Sequence, residues 1–525
     1  MVIGAGSAGA VVAARLSQDP TVRVVLLEAG GSHRDFRIST PGLAGTLWRT
    51  RHDWGYATEP QPSLGGRRPH FPRGKVLGGT SCLNYMVYIR GHRDNFDAWR
   101  DEGNPGWGYE DVLPYFKRSE RNERGADTWH GGDGPLDVTS IPRPSRVALA
   151  LCEATAEVLR VPLTKDFNGA EQTGAGQFQV TIRDGRRCST AVAFLEPAAS
   201  RPNLRIVTGA HVERIVLDGS RAVGVRYRVG GRSEEVRAER EVVLSAGAIG
   251  SPQLLMLSGI GPAAHLREVG VTPRIDLPGV GQNLQDHFFG GASFTARNGS
   301  APTIGAAHAL AWLARYGLGR RGPLSSNWAE AGAFVRTSAS EPRPNLQFHF
   351  LPSGPADPNT DEKNYAPSGS AFSVIPTLIY PKSRGEVRLP SADPMARPRI
   401  DPRYLSDPAD EALLLEGTRL AVEIARAGPM RELRGEPLSA AGRPGATAAE
   451  LREELHLRGN TIFHPVGTCR MGRDALSVVD SDLRVRGVLG LRVADASIMP
   501  SIVGGNTNAA CIMIGEKAAE LIAGT

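Results

Sequence analysis

The sequence predicts an α/β protein: a Rossmann-like dinucleotide-binding domain interrupted by long insertions, which build a second, α+β domain on an antiparallel sheet. Three observations predict it. A strand, a glycine turn and a helix open the chain; two more apolar, parallel-type strands lie far downstream; and the segments between them read as separate strands followed by a long amphipathic helix.

The opening unit comes first. Val2 and Ile3 end an apolar strand, Gly4-Ala5-Gly6-Ser7-Ala8-Gly9 follows, and residues 10–16 read as a helix that Asp19-Pro20 stops. A second strand over 22–27 then ends on Glu28. In such a unit Gly4, Gly6 and Gly9 let backbone approach a pyrophosphate at the helix N-terminus, and an acid about 20 residues on accepts ribose hydroxyls, the place of Glu28. Without its flanking strands and acid, the glycine run would be only a tight turn. Only three residues stand ahead of Gly4, short for a first strand, and whether the chain begins upstream of Met1 is left open by the sequence.

The domain does not close locally. Gly78-Gly79 followed by Thr80-Ser81-Cys82-Leu83-Asn84 would let main chain pass close to a flat ligand. Residues 241–245 read as a buried strand that turns through Ala246-Gly247 into a helix, with Pro252 suiting its first turn and Gly259 its C-terminal cap. A third strand over 491–494 ends on Asp495, which either caps the final helix or meets the cofactor. Among the insertions, 345–350 and 372–380 read as strands, 411–426 as an amphipathic helix, and Pro-rich 343–364 as a surface loop.

The chemistry is expected at His464. One histidine among 12 carries little weight alone, but Pro465 biases His464 toward an extended conformation in a loop, and Asn506-Thr507-Asn508 opens the last apolar helix shortly after. Composition narrows the classes. The 62 glycines fit backbone packed against a bulky ligand. With 61 basic and 55 acidic residues intermixed, the net charge of +6 gives no support for nucleic-acid binding. Five scattered cysteines without metal-ligand spacing point to a reducing compartment, so a cytoplasmic location is expected and no metal site is. No apolar run is long enough for a membrane span. Cys469 reads as a packing residue and His287 as structural, bonded to backbone near the cofactor.

On these motifs the chain resembles the glucose-methanol-choline oxidoreductases, flavoenzymes that oxidise alcohols. Residues 74–91 and 247–261 look like the two family signatures; Gly279-Val280-Gly281-Gln282-Asn283-Leu284-Gln285-Asp286-His287 and Pro381-Lys382-Ser383-Arg384-Gly385 resemble two further family blocks. The resemblance implies FAD, bound by a domain made of residues 1–155, 205–295 and 460–525, with the substrate domain over 156–204 and 296–459. It implies His464 as the catalytic histidine and Asn508 as the second active-site position, a pairing most like the choline dehydrogenase-like branch. Asn84, Val212, Asp495, Asn506 and Thr507 join the glycines and Glu28 as cofactor contacts, Phe463 lines the substrate cavity, and Glu330 falls where choline-acting relatives face a carboxylate to the substrate cation. Some relatives bind flavin covalently through a histidine just before the asparagine of the first signature; Leu83 stands there, so FAD is expected to be noncovalent.

The expected reaction oxidises a small-molecule alcohol to an aldehyde or ketone, with oxygen or another acceptor taking the electrons. A base must sit about 3 Å from the hydroxyl, and His464 is assigned that role. Asn508 would donate a hydrogen bond to the developing alkoxide, and the helix it opens would aim positive dipole at the flavin's N1 and C2-carbonyl edge. Two other readings stay open: a non-redox FAD-containing lyase of the hydroxynitrile lyase type, and an FAD-bound scaffold without chemistry.

Overall fold

The computed structural model describes residues 1–354 and 369–524. Five parallel strands form the sheet that carries the N-terminal glycine turn, in the spatial order Leu204–Thr208, Val24–Glu28, Val2–Ile3, Val242–Leu244, Leu491–Val493. The inner strands are buried on both faces, which is why they read as unbroken apolar runs rather than alternating ones. Helix Gly9–Leu16 packs on this sheet, and helix Asn508–Ala523 packs on that helix so closely that a Cβ at Gly515 would lie 2.7 Å from the carbonyl oxygen of Ala8. A three-stranded antiparallel meander, His211–Asp218, Arg221–Val229 and Arg232–Arg237, is inserted in the chain between Leu204–Thr208 and Val242–Leu244.

The helix Gly247–Leu257 departs from expectation in one respect. It starts early enough to put Pro252 in its second turn rather than its first. Proline cannot bond the carbonyl four residues back, and here that carbonyl, Ala248 O, accepts from Thr468 Oγ1 at 2.6 Å. The side chain replaces the lost helix bond and ties the segment after His464 to the cofactor domain. Gly259, at φ 81°, follows the helix as expected of a left-handed terminator.

The second sheet is antiparallel, as expected, and has nine strands among the described residues. Its main path runs Arg434–Pro437, Ala292–Ala296, Gly369–Leu378, Leu346–Leu351, Ala331–Val335, Gly174–Gln177. Helices Pro408–Arg426 and Arg146–Leu159 share its apolar core, Val147 and Leu151 packing with Ala331 and Phe348. The sheet therefore reaches beyond the expected segment limits: the helix over 146–159 crosses position 155, and Phe288–Phe289, most of Ala292–Ala296 and Asn460–Thr461 lie in stretches assigned to the cofactor domain. The strand expected over 345–350 is present as Leu346–Leu351, inside the stretch also read as a loop over 343–364, whose part beyond 354 lies outside the described residues. Among the described residues, no helix is long and apolar enough to cross a membrane.

Candidate active site

A cavity of about 940 Å³ runs between the two sheets, the size of a pocket for a large ligand. Its floor at one end is the glycine turn. Gly4, with φ 93°, brings the chain off the first strand, and Gly4 N donates to Leu27 O at 2.8 Å. A Cβ at Gly9 would lie 2.0 Å from Gly4 O, so Gly9 is required for packing behind the turn rather than for contact with a ligand. Gly78 likewise sits behind the wall, its N–H donating to Ala5 O at 2.8 Å, while Gly79 and Gly6 face the cavity. At Gly6 a Cβ would meet no protein atom within 4 Å. It would project into cavity space.

This end fits a dinucleotide. The helix Gly9–Leu16 begins without a side-chain cap, leaving first-turn N–H groups for an anion. Glu28 lies on the wall with Oε2 accepting from Ala5 N at 2.9 Å and Oε1 from Gly30 N at 2.8 Å, and burial raises its carboxyl to about 7. Val212 and Asn84 also line the space; Asn84 Oδ1 is taken by Met86 N and Arg187 Nη1, leaving its amide nitrogen to donate. Asp495 reaches the wall too, but its oxygens already accept from four protein donors, Ser497 N and Oγ, Gly247 N and Ser251 Oγ. It caps the short turn Ala496–Ile498, not the final helix.

The other end is assembled by strand pairing. Phe288 pairs with Thr461, Ile462 N donates to His287 O at 3.1 Å, and Gln285 and Val466 exchange backbone bonds at 2.9 and 3.1 Å. Between these anchors residues 462–465 bulge toward the cavity. Phe463 adopts φ 69°, rare for an aromatic residue, its carbonyl held by Arg73 Nη2 and its ring edge-on to Trp48 at 5.2 Å between centroids. Asp286 fixes the next residue, accepting His464 N at 2.7 Å on Oδ1 while Thr461 and Tyr404 hydroxyls occupy Oδ2. Both Phe463 and His464 line the cavity.

His464 is gripped at both ring nitrogens. Its Nδ1 lies 3.0 Å from Nδ1 of His287, whose Nε2 lies 3.0 Å from Ile379 O. A carbonyl only accepts, so His287 carries its proton on Nε2 and offers a lone pair at Nδ1; burial pushes its pKa down to about 3 and keeps it neutral. His464 must then donate from Nδ1, which leaves the Nε2 lone pair toward the cavity. Burial, with smaller contributions from His287, His349 and Arg73, holds His464 well below the ordinary imidazole range. The group at Nε2 is Asn506 Nδ2, 3.4 Å away, its orientation set by Gln347 Nε2 donating to Asn506 Oδ1 at 3.1 Å.

The asparagine assignments therefore need correction. Asn506, expected on the cofactor, is the amide beside His464. Asn508, expected there, accepts Ser7 Oγ at 2.7 Å and belongs to the glycine turn, though both line the cavity with Thr507. Glu330 is also displaced: its carboxylate accepts Ser145 N at 2.7 Å and Ser326 Oγ at 2.8 Å, anchoring the start of the helix Arg146–Leu159, and is not on the cavity wall. His287 is bonded to backbone as expected, but at His464. Cys469 is fully buried, as a packing residue would be.

Sequence reasoning missed His349. It lies on the wall, neutral, with burial pushing it down to about 4 and Nδ1 at 3.2 Å from Thr377 Oγ1. A signal existed. Gln347 and His349 are the polar members, two apart, of the apolar run Leu346-Gln347-Phe348-His349-Phe350-Leu351, and so share one strand face.

Such an arrangement, a dinucleotide cradle facing a neutral imidazole across one cavity, defines a class of cofactor-dependent oxidoreductase. Family models for the GMC oxidoreductases match residues 1–289 and 381–515, and the chain belongs to that family. It is 43% identical to an oxygen-dependent choline dehydrogenase of Sinorhizobium medicae, over 100% of this chain and 95% of that one. It is also 43% identical to an alcohol dehydrogenase [acceptor] of Pseudomonas putida, over 99% and 95%. The crystal structure of pyridoxine 4-oxidase from Mesorbium loti superposes with a TM-score of 0.89 at 36% identity, over 99% of this chain and 98% of that chain. The chain is an FAD-dependent enzyme of the alcohol oxidase or dehydrogenase class.

Proposed function

We propose that the protein oxidises an uncharged alcohol to an aldehyde or ketone, with His464 Nε2 as the base. The observation that carries this is the chain Ile379 O, His287, His464, which commits the base's other nitrogen and aims its lone pair at the cavity. Bound FAD supplies the hydride acceptor. His464 takes the hydroxyl proton at Nε2, and low basicity keeps it unprotonated and ready at neutral pH. Asn506 Nδ2 donates to the oxygen as negative charge grows on it, held in place by Gln347. Trp48, Phe463 and Asp286 keep the loop in position. The helix Asn508–Ala523, which has no side-chain cap, directs its positive end toward the cavity.

Residues Gly4, Gly6, Glu28, Gly79, Asn84, Val212, Thr507 and Asn508 would hold the cofactor. Leu83, buried on the wall where some relatives place a histidine, supports noncovalent attachment, so acid precipitation should release the flavin into the supernatant. An uncharged substrate is supported by the acids present. Among the described residues, those on the cavity wall are Glu28 and Asp495 at the cofactor end and Glu454, paired to Arg458 at 3.0 Å. With Glu330 turned away, none of the described carboxylates is free to face a quaternary ammonium, which leaves aromatic faces such as Trp48 and Phe463 to hold one. Although two of the relatives above are named for choline or alcohol oxidation, the site favours the plain alcohol.

The test is anaerobic mixing of holoenzyme with a panel of benzyl-type, furan, aliphatic and sugar alcohols and choline. Bleaching of the flavin near 450 nm by an uncharged alcohol, and slower bleaching by choline, supports the reading. A flavin that no alcohol reduces would favour the lyase or scaffold alternatives, and an oxygen-electrode trace then separates oxidase from dehydrogenase.

A further inference from the structure

The helix Ala306–Gly319 violates the pattern of a surface helix. Trp312 and Tyr316, one turn apart, hold it down: Trp312 packs against Trp328 with centroids 5.8 Å apart, and Tyr316 OH donates to Gly185 O at 2.9 Å. The opposite face should be polar. Instead Leu310 is 71% exposed and Leu318 91%, and Leu313 at the flank is 42% exposed. A contiguous exposed apolar face of this kind marks a contact surface.

The segment's own charge is one-sided, although exposed Asp184 adjoins it at Gly185. Between His287 and Ala329 the sequence contains four arginines, Arg297, Arg315, Arg320 and Arg321, and no aspartate or glutamate. The last three are exposed on or just after this helix. The helix also stands at the cavity: Ala309, Trp312 and Leu313 belong to its wall, and Leu313 is exposed as well.

We propose that this face docks on an anionic lipid bilayer, the leucines entering the headgroup boundary and the arginines meeting lipid phosphates. An apolar helix that carries only basic charges of its own has the composition of an interfacial helix. Self-association fits worse, because a twofold contact would press the helix's arginines, which have no acid on their own element, toward those of its copy. Docked this way, the cavity opens beside the membrane, and an apolar alcohol dissolved there reaches His464 without crossing water. Only this last step rests on the proposed reaction; the docking does not.

Sedimentation of the holoenzyme with phosphatidylcholine vesicles, with and without phosphatidylglycerol, tests it. Partitioning should rise at least about tenfold with the anionic lipid and fall with salt, each arginine near such a surface contributing roughly fivefold. The variant Leu310→Glu/Leu318→Glu should lose that binding while keeping the wild-type melting temperature and turnover of a water-soluble alcohol. Because all five native cysteines are buried, Ala314→Cys carrying a polarity-sensitive dye offers an independent reading, a blue shift on anionic vesicles. Equal or absent binding to both vesicles, binding retained by the double variant, no dye shift, or a dimer in solution that the double variant dissolves would each overturn the proposal.

Discussion

The two ends of the cavity are built by opposite means. The cofactor end is backbone: glycines, a bare helix N-terminus and one acid, all but a few close in sequence. The reaction end is side chain: His464 is set by His287, 177 residues earlier, and Asn506 by Gln347, 159 residues earlier. A backbone site fails when space is taken away, and a side-chain site fails when a partner is removed. Substitutions should therefore separate FAD retention from the rate of flavin reduction.

The largest effect is expected at Gly6. A Cβ at Gly6 meets no protein atom within 4 Å, so Gly6→Val should fold with a wild-type circular dichroism spectrum yet purify without flavin and without activity. Full flavin content in that variant would break the comparison. His464→Ala should keep FAD and lose about 10²–10⁴-fold in the rate of flavin reduction, the contribution of a general base. His287→Phe should cost on the order of tenfold to a hundredfold, as when the partner fixing an imidazole's tautomer is lost, with flavin content unchanged.

The pH profile sharpens the assignment further. A base with a lowered pKa stays neutral as pH falls, so kcat/KM for wild type should stay flat down through 6.5 and decline only below it. A decline beginning above pH 7 would contradict a buried, neutral His464. Smallest of all is Glu330→Gln, which should leave KM within about twofold. Its two hydrogen bonds at the start of Arg146–Leu159 predict a loss of about 1–3 kcal/mol in denaturant unfolding instead.

The same contrast explains what was legible in the sequence. The glycine turn, its strands and Glu28 obey local rules, so the parallel sheet and cradle could be read directly. Near His464, local reading gave the loop, through Pro465, but not the partners. Asn506 and Asn508 are two apart at a helix entrance, and only the bend of the chain there decides which amide turns to His464 and which to Ser7. Glu330 was placed by resemblance, whereas its orientation follows from the helix entrance at Ser145, far away in sequence. Pro252 was misplaced because Thr468 satisfies the carbonyl that a proline would otherwise orphan. The segment limits failed where Phe288–Phe289 and Asn460–Thr461 join the substrate sheet, a pairing of two-residue strands too short to show any periodicity.

The central claim is that His464 works with Asn506 while Asn508 serves the cofactor turn. Stopped-flow flavin reduction by one alcohol under anaerobic conditions, together with flavin content, compares Asn506→Ala with Asn508→Ala. The account predicts that Asn506→Ala keeps its FAD and is reduced about 10²–10³-fold more slowly, whereas Asn508→Ala loses flavin but reduces what it retains at close to the wild-type rate. The reverse pattern, fast reduction in Asn506→Ala and slow reduction in a flavin-replete Asn508→Ala, would contradict it.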